Sequence, residues 1–404
     1  MSVFLPTFLL GFGQGMLIPA LPLFLLEING SSYSLVSLVV AAAGIGTVIA
    51  DVPAGMLLER IGRKRAMMIG TISVAISMIG IPITKMVYVA LDLPLTESFT
   101  IMIALRLIAG VGTALWGVSR MAFMTEATST ASRGRALSTF GGVNRIGTFA
   151  GPGIGGALGA LLFIEAPFFA AAVLSISAAV VSYLYIQDDT ATRANRSHKM
   201  RWAVLGGVAR SHWRELITAG SAQVFAQMIR SGRQIIVPLY GASLGLDVGQ
   251  IGAVISLSAA IDMTLFIPAG IVMDRLGRKW AVVPSFAIMG LGMALIPLAT
   301  DYFSLMLATG VIGIGNGLSS GTMFTLGADL APPGATSEFL GLWRFVGDMG
   351  SSTGPMVVGA FADVLGLASA AFALAFMGFL SATTMILFVK ETLHAKKDSI
   401  PSGP

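Results

Sequence analysis

The chain has no cysteine, and charged residues make up only 11% of its 404 positions. The first lack removes disulfides, thiolate nucleophiles and cysteine metal sites. The second removes an ordinary water-soluble globule, whose composition runs to about 25% charge. Histidine is scarce as well: His198, His212 and His394 are the three, each in a charged connecting segment. A buried histidine relay is therefore not expected, nor is any metal or organic cofactor.

What fills the chain instead is apolar sequence, 55% hydrophobic with a mean hydropathy of +0.84. A helix needs roughly 20 apolar residues to cross the hydrocarbon core of a bilayer. Twelve stretches qualify: 3–26, 34–58, 66–89, 99–126, 136–163, 166–186, 216–242, 248–273, 280–299, 302–329, 338–362 and 366–389. Short connections rich in Gly, Pro, Asn, Asp and Ser join most of them. The fold class expected is an all-α membrane protein of twelve transmembrane helices in two six-helix bundles. The first stretch begins directly after Met1; it is too long for a signal-peptide core and has no basic flank before it.

The segment 187–215 is longer and charged, and it divides the helices six and six. The organisation expected is an N-terminal bundle over 1–186, a linker over 187–215, a C-terminal bundle over 216–389 and a polar tail over 390–404. Between Trp202 and Trp213 the linker reads as an amphipathic helix lying on the membrane. Eighteen of the 25 lysines and arginines fall on one set of loops, and a single one, Lys85, falls on the other. Positive charge collects on cytoplasmic loops. Both termini and the linker are therefore expected in the cytoplasm, with the protein in the plasma membrane. The same rule accounts for the net charge of +5 without a nucleic-acid partner. The expected partners are the lipid bilayer and a small-molecule substrate, with the chain acting as a monomer.

The halves repeat. AGMLLERIGRK at 54–64 matches AGIVMDRLGRK at 269–279, a shift of 215. Further on, a shift of 203 aligns Glu126 with Asp329, Gly151-Pro152 with Gly354-Pro355, and Asp188 with Glu391. Parallel six-helix repeats are a recurring transporter plan, with the site near mid-membrane between the halves.

The two repeated loops hold Gly55, Leu57, Glu59, Arg60, Gly62, Arg63 and Lys64, and Gly270, Val272, Asp274, Arg275, Gly277, Arg278 and Lys279. Both fit a G-x-L-a-D-r-x-G-r-k pattern, with Glu59 where Asp is usual. By these loops the chain resembles the major facilitator superfamily over essentially its whole length. Three further patterns are similar to the drug:proton antiporter branch of that family: FGQGMLIPALP at 12–22, RLIAGVGTA at 106–114 with Ala109 in place of the usual Gln, and GTFAGPGIGG at 147–156. The resemblance implies a secondary transporter working by alternating access, with proton-coupled efflux of amphipathic small molecules and H+ as coupling ion. It also implies that Arg63 pairs with Glu126 and, by symmetry, Arg278 with Asp329, holding a cytoplasmic gate shut. Glu59 and Asp274 would face helix N-termini, where partial positive charge favours an anion.

Gly147, Gly151, Gly155 and Gly159 are spaced four apart and form one smooth stripe, with Gly156 beside it. Such stripes let helices approach closely in lipid. Pro152, and Pro355 after Gly354, remove a backbone bond and bend their helices. Ionisable groups at depth are functional by default: here Asp51, Asp262 and Asp348, with Arg106, Arg120, Arg145, Arg230, Arg233 and Arg344. From their depths and the family arrangement, two pairs are expected to join the bundles, Asp51 with Arg344 and Arg145 with Asp262, each loosened by protonation. The resemblance assigns proton transfer to Arg106 and a cavity to helices 1, 4, 7 and 10, where Gln14, Trp116, Gln227, Arg230, Arg233, Gln234 and Asn316 stand as substrate contacts. A cavity rich in arginine favours anions, so exchange or uptake of organic anions or lipid-like solutes stays open as a second reading. A non-transporting sensor would carry an added signalling domain, and none is seen. GPGIGG and GASLG spell enzyme motifs, but neither has the strand context or partners that those motifs need. The chain is not read as an enzyme.

Overall fold

The computed structural model describes residues 4–29, 32–92, 94–127, 133–186, 202–332 and 334–393. The expected roles of Glu59 and Glu126 concern side chains outside this description, as do residues 187–201 of the linker and the tail from 394.

The described residues form fourteen α-helices and no strand. In the first half these are α1 (Phe4–Asn29), α2 (Tyr33–Ile61), α3 (Arg63–Leu91), α4 (Leu95–Ala127), α5 (Arg133–Leu161) and α6 (Ala166–Tyr185). The linker contributes α7 (Trp202–Ser211) where an amphipathic helix was expected. The second half holds α8 (Trp213–Ser243), α9 (Val248–Arg275), α10 (Arg278–Leu295), α11 (Tyr302–Leu318), α12 (Thr322–Leu330), α13 (Thr336–Leu365) and α14 (Leu367–Phe388). Each of the twelve sequence stretches thus has its helix, and one difference stands out. The stretch 302–329 is two helices, because Ser319, Ser320 and Gly321 interrupt it, with Gly321 at φ +76°. An L side chain rarely adopts that backbone conformation, and glycine takes it at no steric cost.

Nine helical segments among the described residues are long and apolar enough to cross a membrane, one of them running through both α11 and α12. Large apolar side chains stay exposed on them, such as Val173, Ile267 and Phe376. In water that much exposed apolar surface would be a liability, while in lipid it is the solvated face.

The chain packs as two units. One is 1–199 with 241–256; the other is 200–240 with 257–404. The end of α8, the connection after it and the first turns of α9 (Gly241–Ser256) thus belong with the first unit rather than with their own sequence half. Inside the first unit α5 lies against α1, and a Cβ on Gly151 would strike Gly15 and Phe12. On α2 and α4, Gly46 meets Leu107 and Gly110 meets Ala43, while Thr47 Oγ1 donates to the Gly110 carbonyl at 3.1 Å. The second unit repeats the scheme. Gly350 and Gly354 of α13 touch Val224 and Met228 of α8. Gly313 of α11 meets Ser258 of α9, whose hydroxyl donates to the Thr309 carbonyl at 2.7 Å. Small residues sit at every such crossing because, without a hydrophobic drive between helices in lipid, close packing must supply the attachment.

Candidate functional site

The second repeated loop is built around a glycine and a carboxylate. Gly277 stands between α9 and α10 at φ +121°. A Cβ there would lie 2.5 Å from the Glu391 carboxylate, so conformation and space both require glycine. Glu391, just past the end of α14, accepts from the backbone N–H of Arg278 (2.9 Å), Lys279 (3.0 Å), Thr392 (2.9 Å) and Leu393 (3.1 Å). Two of these donors are the otherwise unsatisfied amides that open α10. Burial alone would raise the Glu391 carboxyl; the four amides outweigh it and hold the group below its ordinary value. Arg278 Nε donates to Asp329 Oδ2 at 2.8 Å, its Nη1 donates to the Met273 carbonyl at 3.0 Å, and Asp274 lies 3.6 Å away. Thr392 Oγ1 donates to the same Asp329 oxygen at 3.0 Å. One turn-and-carboxylate knot therefore ties α10, α12 and the chain after α14. The repeat places Arg278 and Asp329 together, whereas the sequence marks Glu391 only by its alignment with Asp188.

In the first loop Gly62 has φ +84°. Arg63 lies over the Phe123 ring and Lys64 over the Tyr183 ring, at 5.8 and 4.7 Å from the centroids. Arg60 and Arg275 are exposed, and Gly55 and Gly270 have open space where a side chain would go.

At depth in the second unit, Asn316 Nδ2 donates to Asp262 Oδ2, joining α11 to α9. One turn further along, α11 stops. Arg230 of α8 reaches the break and donates to both the carbonyl and the hydroxyl of Ser319. The same guanidinium donates to Gln227 at 3.3 Å and lies 5.2 Å from the centre of the Phe286 ring. Ser285 of α10 donates to the Gly315 carbonyl. These donors serve the C-terminal end of α11, where carbonyls lack helical partners and partial negative charge gathers. Non-helical backbone at membrane depth is tolerated where protein buries it or a water-filled cavity receives it. The Leu-Ser-Ser-Gly run at 318–321 was the sequence signal for the break.

Arg344 Nε donates to Asp348 one turn along α13, at 3.3 Å. Asp51, Arg145 and Arg233 are half-buried, as is Arg106 of α4, whose Nε has no hydrogen-bond partner among the described residues. Trp116 is buried, while Gln14 and Gln234 are exposed. No group of three or more His, Asp or Glu suited to a metal occurs among the described residues.

The glycine-rich helix α5 has two smooth faces rather than one stripe. Gly147, Gly151 and Gly155 meet α1 at Phe8, Phe12, Gly15 and Met16. Gly156 and Pro152 meet the first turns of α9 instead, where a Cβ on Gly156 would lie 2.6 Å from the Val248 carbonyl and 3.0 Å from Gly252. The small residues Gly249 and Gly252 were the complementary signal in the sequence. Near this contact a cavity of 750 Å³ is lined by Glu27, Lys85, Glu165 and Asp247 among others. Lys85 Nζ lies 3.0 Å from Glu27 and 2.7 Å from Glu165, and 4.9 Å from the centre of the Phe24 ring.

Comparison with known proteins agrees with this architecture. The sequence profile of the Major Facilitator Superfamily matches residues 3–231 and again 219–404. An uncharacterized MFS-type transporter of Methanocaldococcus jannaschii is 22% identical over 368 residues, 91% of this chain and 92% of that one. The quinolone resistance protein NorA of Staphylococcus aureus is 23% identical over 370 residues, 88% of each chain. Among solved structures, a D-xylose-proton symporter superposes with a TM-score of 0.73 at 17% identity, covering 97% of both chains.

Proposed function

We propose that this chain, which belongs to the Major Facilitator Superfamily, expels amphipathic small molecules in exchange for protons. Membership makes it a membrane-embedded transporter of a small-molecule substrate; the direction, the coupling ion and the substrate class are our reading. The observation that carries it is Asp262, a carboxyl at membrane depth held by Asn316 one turn before the break between α11 and α12. An ionisable group is expensive in that position and marks a proton or substrate path. Protonation removes the charge and weakens the hold on Asn316, because a hydrogen bond to a carboxylate is stronger than one to a neutral carboxyl. The similarity to a quinolone resistance protein supports amphipathic drugs as the cargo. The rival cargo, organic anions, would draw on Arg230 and Arg233. Arg230 is engaged by Ser319, Gln227 and Phe286, which favours the first reading.

Within this reading Asp51, Arg106, Arg145, Arg344 and Asp348 take part in coupling and gating. The Arg278–Asp329 pair steadies the cytoplasmic side, and Gln14, Trp116, Gln227, Gln234 and Asn316 contact the solute. The chain works as a monomer in the plasma membrane with both termini in the cytoplasm. The test is Asp262→Asn in liposomes under an imposed pH gradient, with cationic, neutral and anionic solutes compared. Drug uptake driven by the gradient is expected to fall at least tenfold in the variant, while exchange of labelled for unlabelled drug without a gradient persists. A variant that still follows the gradient would remove Asp262 from the coupling path, and selectivity for anions in the parent would overturn the cargo.

A further inference from the structure

Pro152 interrupts the hydrogen-bond ladder of α5 because it has no N–H to give. The next residue, Gly153, has one. In an unbroken α-helix it would bond to the Phe149 carbonyl, four residues back. Here Gly153 N–H donates to the Ser256 hydroxyl at 2.7 Å, and that hydroxyl donates to the Phe149 carbonyl at 3.1 Å. One side chain of α9 thus spans the two backbone groups of α5 that a regular helix would join directly. A side chain inserted into the ladder is one of the recognised causes of a helix kink. Ser256 comes from the same face of α9 as Gly249 and Gly252, by their spacing of three and four residues. Those glycines let the backbones come close enough for a side chain as short as serine to reach.

We propose that Ser256 is a positioning residue of the transport cycle, acting as a removable link in the α5 backbone. With the first turns of α9 docked, the hydroxyl joins Gly153 and Phe149. With α9 withdrawn, the same two groups close on each other in the ordinary helical bond. Neither arrangement leaves a buried backbone group unpaired, a condition that is costly in lipid. The two helices can therefore part and meet with a small change in hydrogen bonding, and any bend that Pro152 imposes on α5 would change with them. The proposal rests on alternating access, the premise of the function proposed above.

The absence of native cysteine makes the test direct. Val248 is 7% exposed and packs against Gly156 and Gly159 of α5. A Val248→Cys reporter should react with a maleimide only when the contact opens. Ser256→Ala and Ser256→Val, which lack the hydroxyl, should speed that reaction about fivefold or more, the effect of losing a hydrogen bond or two from the docked state. Ser256→Thr, which has the shape of valine but keeps the hydroxyl, should react like the parent. Equal rates in all four proteins, or threonine behaving as valine does, would overturn the proposal. The labelling needs neither substrate nor gradient. Failure of the efflux assay in the reporter parent would therefore count against the function alone, and an unchanged labelling rate against Ser256 alone.

Discussion

Glu391 illustrates what a single residue does in this molecule. Its carboxylate closes the start of α10 and stands beside the Arg278–Asp329 pair, so its charge is a stability term with a pH signature. Its folded value is lowered. The stabilisation is therefore fully present above the ordinary glutamate value of 4.5 and is lost as the pH falls through the lower folded value. Glu391→Gln keeps an acceptor oxygen but loses the charge and half of the acceptor capacity. It should cost about 1 kcal/mol at pH 7, read as a lower midpoint of thermal unfolding in detergent, with the difference from the parent closing as the pH falls below 4.5. A difference that persists at acid pH would assign the effect to shape. This residue also marks a limit of reading. Arg278 and Asp329 could be paired from the repeat because both lie in patterned positions, whereas Glu391 lies past the last helix, where neither period nor composition says which backbone it will meet.

At the scale of helices, the same limit separates α5 from α11. The glycines of α5 advertise close packing at any distance from their partner, and a helix was legible there from composition and spacing alone. That the helix carries two faces was not, since each face is defined by what lies against it: Phe12 and Gly15 on one side, Val248 and Gly252 on the other. The break after Leu318 escaped because serine and glycine are common in spanning helices, and only the arrival of Arg230 from α8 marks this pair of serines as a terminus. Lys85 belongs to the same scale, since it ties the end of α1 and the start of α6 to α3. The side chains are part-exposed, Lys85 by 23%, Glu165 by 22% and Glu27 by 50%, so the bridge is worth only about 1 kcal/mol. Lys85→Met should lower stability by about that amount, because two glutamates then face each other without their cation. Adding Glu165→Gln should recover part of the loss. Purified proteins compared by thermal unfolding in a double-mutant cycle would check this, and additive losses would mean that the bridge contributes nothing.

For the whole molecule, composition and charge asymmetry were the most legible features of all. A chain with 11% charge and eighteen basic residues on one set of loops has few arrangements open to it. The orientation that follows can be checked with two single cysteines at exposed positions, Leu276→Cys in the loop after α9 and Thr300→Cys before α11. An impermeant maleimide added to intact cells should modify the second and spare the first, and inverted vesicles should reverse the result. The opposite pattern would turn the molecule over and with it the side assigned to Lys85. The boundary between units was less legible. The segment Gly241–Ser256, from the end of α8 into the first turns of α9, belongs to the second half in sequence yet packs with the first unit, because Gly249 and Gly252 fit α5.

The short helix after the break has a consequence of its own. Nine residues are too few for a helix to sustain itself; in water an isolated one needs about 12–15. What keeps α12 wound is borrowed from outside: the Arg278–Asp329 clasp at one end, and the Trp343 indole, which donates to the Met323 carbonyl at 3.0 Å, at the other. A segment held in this way should unwind locally when either anchor is lost, before the longer helices give way.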